Sequence, residues 1–345
     1  GEYDDPKLKE LREKYKLEEV IRGGKTELEK LILLRRWVKS RWKHGFSGWY
    51  EVKTDKPLDA LALLAEAEKG KNCACGHYAR TYVECCQSLG YQARYVGILR
   101  DRCDVEDENV GHAVTEVWSN DFSKWVIMDP DLNVHYERDG VPLNALEIRE
   151  AWLKGEVDRV KQVKAEPPFE MVWDGKVPKE KVKKWKKDIE QFVANKTMHE
   201  YEYIVIPMRD VYSEKVKDLK PKTYMLGDKV RGPILFYIRR ELEKTWPDIE
   251  FTTNPDDMYF SINQTFIDLR AKNLEKEPAT LEVKLRNNMP NFDRYDVRLD
   301  GGQWKTKPEE FEWKLNPGMN TIEAKAVNKL DRPGIQSKIT VEYKP

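Results

Sequence analysis

The chain has 345 residues, enough for about two domains, and its 61 basic side chains balance 61 acidic ones. Because phosphate binding requires a basic surplus, this balance argues against a protein that binds nucleic acid through its bulk charge. The 11 Trp, 16 Tyr and 10 Phe exclude a disordered chain, and no apolar run approaches the roughly 18 residues that span a bilayer.

The N-terminal part of the chain predicts four helices, each with a start or stop signal. They are expected at these places: two within residues 6–45, one over 60–69 and one over 76–89. Gly23-Gly24 separates the first two helices, and Thr26 with Glu29 three residues later forms a capping box at the start of the second. Asp59 is placed to cap the third helix.

A strand, an acidic loop, a β-hairpin and a helix are expected next, in that order. They cover residues 93–99, 101–108, 112–130 and 144–154. The hairpin would pair strands 112–118 and 125–128 around a turn. Further along, residues 176–187 contain seven Lys and one Glu above an apolar stripe, which favours a solvated helix face over a site for a polyanion.

From about residue 251 the pattern changes to short alternating segments with turns between them, which is typical of an all-β sandwich. The expected strands are 258–263, 280–285, 295–299, 311–315, 320–326 and 337–343. The chain therefore divides into a first domain over 1–200, a connecting region over 201–250 whose assignment is open, and a sandwich over 251–345.

The five cysteines are too few for a disulfide scaffold, and they are unevenly placed. Four of them fall within fourteen positions, namely Cys73, Cys75, Cys85 and Cys86, and Cys103 follows seventeen residues later. An odd and clustered set predicts at least one thiol kept for chemistry. Cys75 stands just before the predicted start of the fourth helix, where the helix dipole and free N–H groups stabilise a thiolate.

A thiol nucleophile needs an imidazole to accept its proton and a carboxylate or amide to orient that imidazole. His112 opens the predicted hairpin and Asp129 closes it. If the hairpin is symmetric about its turn, these two residues lie opposite each other with Cβ atoms about 5 Å apart. The same register pairs Val114 with Ile127 and Glu116 with Trp125. A one-residue slip would break this pairing.

Four sequence blocks resemble the core of the transglutaminase-like superfamily. They are Cys75-Gly-His-Tyr-Ala, Leu89-Gly-Tyr-Gln-Ala-Arg-Tyr-Val, Gly111-His112-Ala-Val-Thr-Glu-Val-Trp and Trp125-Val-Ile-Met-Asp129-Pro. The resemblance implies that Cys75 is the nucleophile, His112 the base and Asp129 the orienting carboxylate. It also implies an α+β fold with a papain-like core, in which the nucleophile helix packs on an antiparallel sheet. The run that begins at Leu315 resembles immunoglobulin-like modules of secreted bacterial enzymes, which makes the expected sandwich Ig-like.

Several assignments have alternatives in the sequence. Cys73 is the rival nucleophile and Asp131 the rival carboxylate, while His77 is expected on the exposed surface of its helix. Cys73, Cys75 and His77 have no evident fourth partner for a metal ion, so no metal or other cofactor is expected.

The remaining site assignments concern loops. The backbone N–H of Cys75 is one expected oxyanion donor, with Trp49 or Asn72 as the second. Asp104 and Asp107 of the acidic loop could select cationic substrates or bind Ca²⁺, although a solvated loop is the simpler interpretation. Pairing of Cys103 with Cys73 in an oxidising compartment is left open.

The resemblance implies thiol-dependent acyl transfer at amide bonds of a protein, peptide or glycopeptide, with hydrolysis favoured because no feature reserves the site for an amine. One alternative is a peptide N-glycanase-like amidase, although the paired CxxC zinc motifs expected upstream are absent. Two more are a protein-glutamine transglutaminase and a non-catalytic scaffold that binds through the sandwich.

The location of the protein is predicted from its first residue and its last domain. The polar start contains no signal peptide, and Gly1 stands in place of Met. With the Ig-like tail, this leads us to expect a secreted, periplasmic or cell-surface protein from which a targeting segment has been removed, while a cytoplasmic location stays open.

Overall fold

The computed structural model of the protein describes most of the chain. The described residues are 5–47, 59–99, 111–174, 182–183, 186, 201, 203–207, 223–226, 249–275 and 278–344. The chain forms two compact units, one built mainly from residues 3–260 and the other mainly from residues 261–345. No helix among the described residues is long and apolar enough to cross a membrane.

The first unit contains six described α-helices of more than one turn. They are α1 (Pro6–Lys14), α2 (Leu17–Ile21), α3 (Glu27–Lys39), α4 (Ala60–Glu68), α5 (Cys75–Ser88) and α6 (Ala145–Leu153). The prediction of two helices within residues 6–45 is wrong, because the structure has three helices there. Lys16 adopts the left-handed conformation at φ 49° and separates α1 from α2. The other predicted helices are confirmed to within one residue at each end.

Side-chain caps fix where these helices begin. The Thr26 side chain accepts the N–H of Glu29, whose carboxylate in turn accepts the N–H of Thr26, so the predicted capping box is present. Asp59 accepts the N–H of Ala62 at the start of α4. Helix α5 has no side-chain cap, so its first turn keeps backbone N–H groups for other partners.

Nine strands are described in the first unit. They are β1 (Ala93–Leu99), β2 (Gly111–Ser119), β3 (Lys124–Met128), β4 (Val134–Arg138), β5 (Val141–Pro142), β6 (Lys161–Lys164), β7 (Tyr203–Pro207), β8 (Thr223–Leu226) and β9 (Ile249–Thr252). Six of them form one sheet in the order β3-β2-β1-β7-β8-β9, antiparallel except for the β8–β9 pair. The segment 201–250, which the sequence leaves unassigned, thus contributes strands to the sheet that contains His112.

The six-stranded sheet is covered on both faces. One apolar cluster joins side chains of α1–α5 to Val117 and Met128 of the sheet. The other joins α6 to Val114 and Ile127 on the opposite face. Residues 114 and 117, like 127 and 128, point to opposite faces because strand side chains alternate. The expected α+β core, with the Cys75 helix packed on an antiparallel sheet, is confirmed.

The second unit is a β-sandwich. Its strands are β10 (Thr265–Asn273), β11 (Thr280–Asn287), β12 (Phe292–Leu299), β13 (Lys305–Lys307), β14 (Glu310–Lys314), β15 (Gly318–Asn328) and β16 (Ser337–Tyr343). They form the sheets β10-β11-β14 and β13-β12-β15-β16, which share one apolar core around Trp313. The strand predicted at 258–263 is wrong: Asn263 has φ 56°, which interrupts an extended chain, and the strand begins at Thr265.

Candidate active site

Cys75 is the first residue of helix α5. Ala74 precedes it in an extended conformation, so the chain turns into the helix at the thiol. The positive end of the helix dipole and the backbone N–H groups of the first turn therefore surround Cys75, and both favour a thiolate. The side chain is half-buried, which leaves it accessible to a reagent or substrate.

The other described cysteines lie in different surroundings. Cys73, Cys85 and Cys86 are each fully buried. Burial, with the nearby charges of Asp174 and Glu66, raises the pKa of the Cys73 thiol to about 12. Burial also raises the pKa values of Cys85 and Cys86 well above the ordinary range. Cys73, the rival nucleophile, is thus a protonated thiol at neutral pH.

His112 lies beside Cys75 at the start of β2. A ring nitrogen of His112 lies within 4.8 Å of the Cys75 sulfur, and the thiol contributes to the raised pKa of the imidazole. The Nε2 atom of His112 lies 2.8 Å from Oδ2 of Asp129. Nε2 therefore donates a hydrogen bond to the carboxylate, and Nδ1 is the ring nitrogen that can accept the proton of the thiol. The structure brings together the three residues predicted as nucleophile, base and orienting carboxylate.

The hairpin reaches this arrangement by a register that differs from the predicted one. Thr115 pairs with Met128 and Ser119 with Lys124, which is a shift of two residues. The predicted cross-strand pairs His112–Asp129, Val114–Ile127 and Glu116–Trp125 are therefore wrong. The turn has four residues, 120–123, with Ser123 at φ 52°. A shift of two keeps each side chain on its face, so Asp129 becomes the diagonal neighbour of His112.

The turn after β3 fixes the Asp129 carboxylate. Its Oδ1 accepts the backbone N–H groups of Asp131 at 3.0 Å and Leu132 at 2.9 Å. This Asx-type turn leaves Oδ2 to face His112, and the carboxylate is fully buried. Asp129 therefore reaches the imidazole in one orientation only.

Electrostatics favour the protonated form of His112. Burial opposes the charge, but the Asp129 charge and its hydrogen bond, together with the contact to Cys75, outweigh burial and raise the His112 pKa well above its ordinary value. A raised imidazole pKa beside a thiol at a helix start favours a thiolate–imidazolium pair.

Asp131, the rival carboxylate, is hydrogen-bonded to a different imidazole, that of His44. Its Oδ2 lies 2.7 Å from Nδ1 of His44, and its Oδ1 lies 3.6 Å from Nζ of Lys39. Burial opposes ionisation, but His44, Lys39 and His112 lower the Asp131 pKa to about 2. A second buried imidazole–carboxylate pair thus adjoins the first.

The sequence reasoning missed His44 and Lys39. Both lie more than 30 positions before Cys75, in a segment that the sequence presents as part of a charged amphipathic helix. His44 reaches the site because its backbone forms isolated bridges to Cys73 and Met171. One signal was present: two carboxylates two residues apart in a buried turn require two separate partners.

Two other predicted residues, His77 and Asn72, lie within the described part of the chain. His77 is half-buried instead of exposed, and burial lowers its pKa to about 4. Asn72 accepts the N–H of Lys43 at 3.0 Å and donates to Asp174 at 2.7 Å, so its side chain ties the 43–47 segment to the site. Trp49, the other residue predicted as the second oxyanion donor, lies outside the described residues. So do Asp104 and Asp107 of the acidic loop and Cys103 of the open disulfide.

Comparisons with known proteins identify a family for the first part of the chain. Residues 14–130 match the model of the transglutaminase-like superfamily. No curated protein matches the sequence.

Three solved structures are similar to this chain over different shares of its length. A candidate cysteine protease from Cytophaga hutchinsonii has 16% identity over 34% of this chain and 35% of its own, with a TM-score of 0.26. Fibronectin(III)-like modules of Clostridium thermocellum CbhA have 19% identity over 23% of this chain and 96% of theirs, with a TM-score of 0.19. Red sea bream transglutaminase has 11% identity over 99% of this chain and 72% of its own, with a TM-score of 0.25.

Proposed function

Because residues 14–130 form a domain of the transglutaminase-like superfamily, we propose that the protein is a thiol-dependent acyl-transfer enzyme that hydrolyses amide bonds of peptides or glycopeptides. The observation that carries the proposal is the chain of contacts from Cys75 through His112 to Asp129. A half-buried thiol at a helix start, within 4.8 Å of an oriented imidazole, is the arrangement that nucleophilic catalysis by cysteine requires.

In the first half-reaction the Cys75 thiolate attacks the amide carbonyl carbon, and a sulfur–carbon bond forms. The carbonyl electrons move to oxygen, and the backbone N–H of Cys75 at the start of α5 is a donor for that oxyanion. When the intermediate collapses, the carbon–nitrogen bond breaks and the His112 imidazolium gives its proton to the departing amine. A thioester on Cys75 and a neutral imidazole remain.

In the second half-reaction His112 accepts a proton from water as the oxygen attacks the thioester carbon. The carbon–sulfur bond breaks, which releases a carboxylic acid and restores the thiolate–imidazolium pair. Asp129 holds the ring throughout, and its charge stabilises the imidazolium. An amine in place of water would give a new amide, so cross-linking uses the same residues.

Alkylation of the thiols tests the proposal without knowledge of the substrate. With limiting iodoacetamide near neutral pH, mass spectrometry should find Cys75 labelled first, and His112→Ala should slow that labelling. Cys73→Ser is the matched control, because Cys73 is buried two residues away and its replacement should leave the rate at Cys75 unchanged. If another thiol reacts first, or if His112→Ala labels at the wild-type rate, the proposal is wrong.

The bond that is cleaved needs a separate assay. A peptide library, a glycopeptide and a glutamine-containing protein with a labelled amine would be compared with the same enzyme preparation. Release of new peptide termini supports the proposed peptidase activity, release of a free glycan supports the amidase, and amine incorporation supports the transglutaminase. The Ig-like topology of the sandwich and the secreted location stay predictions.

A further inference from the structure

We propose that Cys75, His112 and Asp131 form a binding site for a thiophilic divalent metal ion such as Zn²⁺. The three residues come from the start of α5, the start of β2 and the turn after β3. One ligand atom of each lies within 4.8 Å of the others. Thiolate, imidazole and carboxylate are the donors that zinc uses in proteins, and three of them with a water complete a tetrahedral site.

The surrounding residues orient two of the three ligands as metal sites require. Nε2 of His112 donates to Asp129, so Nδ1 is the ring nitrogen that would bind the metal. A metal-binding histidine commonly donates its other N–H to a carboxylate in this way. Oδ2 of Asp131 is likewise held by Nδ1 of His44 at 2.7 Å.

Asp131 has an oxygen available for the metal. The residue is 1% exposed, and its Oδ1 has no hydrogen-bond partner within the described part of the chain. The Lys39 ammonium lies 3.6 Å from that oxygen and forms an ion pair with it. Because this oxygen is paired by charge and accepts no hydrogen bond at that distance, it keeps a lone pair for a metal ion.

The charges around the site also fit a divalent cation. The Cys75 thiolate and the carboxylates of Asp129 and Asp131 carry three negative charges, and the Lys39 ammonium carries one positive charge. With His112 neutral as a ligand, a divalent ion offsets the negative charges of the Cys75 thiolate and the Asp131 carboxylate, which lowers the cost of burying them.

The geometry requires a modest contraction. Ligand atoms of a tetrahedral zinc site lie about 3.5 Å apart, so the three side chains would draw together by up to about 1.3 Å from the 4.8 Å limit. Cys75 can supply part of this movement because its side chain is half-buried. The bound ion would occupy both the thiolate and the imidazole nitrogen and stop acyl transfer. This inhibition rests on the proposed function, whereas metal binding does not.

The experiment titrates the full chain with Co²⁺ as a spectroscopic substitute for Zn²⁺. We expect a thiolate-to-cobalt charge-transfer absorption together with the visible bands of a four-coordinate ion. Cys75→Ser should abolish the charge-transfer absorption, and Asp131→Asn should weaken binding at least ~10–100-fold, the loss typical of an outer carboxylate. Cys73→Ser is the matched control and should bind like the wild type. Zn²⁺ should also protect Cys75 from iodoacetamide.

X-ray absorption of the zinc-loaded wild type gives a reading that needs no variant, and it should show one sulfur among four ligands. Two sulfurs, no sulfur, an unchanged spectrum in Cys75→Ser or unaltered affinity in Asp131→Asn would each overturn the metal site. All of these readings are taken without turnover. A metal-binding but inactive protein would therefore refute the proposed function alone, and an active enzyme that ignores Zn²⁺ would refute the metal site alone.

Discussion

Two buried imidazole–carboxylate pairs adjoin Cys75, and they differ in what holds the second carboxylate oxygen. In the His112–Asp129 pair that oxygen accepts two backbone N–H groups. In the His44–Asp131 pair it lies 3.6 Å from the buried Lys39 ammonium. The first pair is fixed by the fold of one turn, whereas the second depends on a charged side chain from helix α3. Under the proposed function, the first pair serves proton transfer and the second serves charge balance.

The largest expected effect is a difference in kcat/KM between variants of the two imidazoles. His112→Ala should lower kcat/KM by about 10²–10⁴-fold, the usual contribution of a general acid–base group. His44→Ala should lower it by less than about tenfold, because the described side-chain hydrogen bond of His44 is to Asp131 and not to the thiol. Both variants would be assayed on the peptide amide that the wild type cleaves best. Equal losses would show that the two pairs share the proton transfer.

The next effect concerns Lys39, whose Nζ lies between Asp131 and the rings of Tyr78 and Phe169. Lys39→Met would leave the Asp131 charge buried without its cation, which typically costs about 3–5 kcal/mol. The free energy of unfolding from denaturant titration measures this loss. A value near zero would mean that His44 alone balances the carboxylate.

A smaller effect is the dependence of stability on pH through Asp131. Its folded-state pKa of about 2 lies below the ordinary value of 3.8. The ionised carboxylate therefore stabilises the fold at pH values above 3.8, and that contribution is lost as the pH falls toward 2. The advantage of the wild type over Asp131→Asn should shrink by about 2 kcal/mol between pH 5 and pH 2. Parallel unfolding curves over that range would contradict the lowered pKa.

The sequence predicted one of the two pairs and could not predict the other. Cys75, His112 and Asp129 lie in motif blocks whose helix start and strand ends are local features. Even so, the predicted register was off by two, because the length of a hairpin turn depends on which residue adopts a left-handed conformation, here Ser123. The predicted grouping of these side chains was still correct, because residues two apart along a strand lie on the same face of the sheet.

The second pair depends on contacts that are distant along the chain. His44 and Asp131 are 87 positions apart in the sequence. The isolated β-bridges that position His44 cannot be predicted from a periodic sequence pattern. Lys39 is the last residue of α3 and looks like an ordinary basic residue at a helix C-terminus. Its burial to 3% exposure becomes evident only when the tertiary structure is known.

The smallest expected effect tests whether the strength of an ion pair depends on its burial more than on the distance between its charges. Lys43 lies only 2.6 Å from Glu170, closer than Lys39 lies to Asp131, but these two side chains are 52% and 59% exposed. Water screens the exposed pair and already solvates each partner, so Lys43→Met should change the free energy of unfolding by less than about 1 kcal/mol. The same denaturant titration as for Lys39→Met measures it. If the shorter, exposed pair proved worth as much as the longer, buried one, burial would not be what distinguishes Lys39, and the charge-balancing role of the second pair would lose its physical basis.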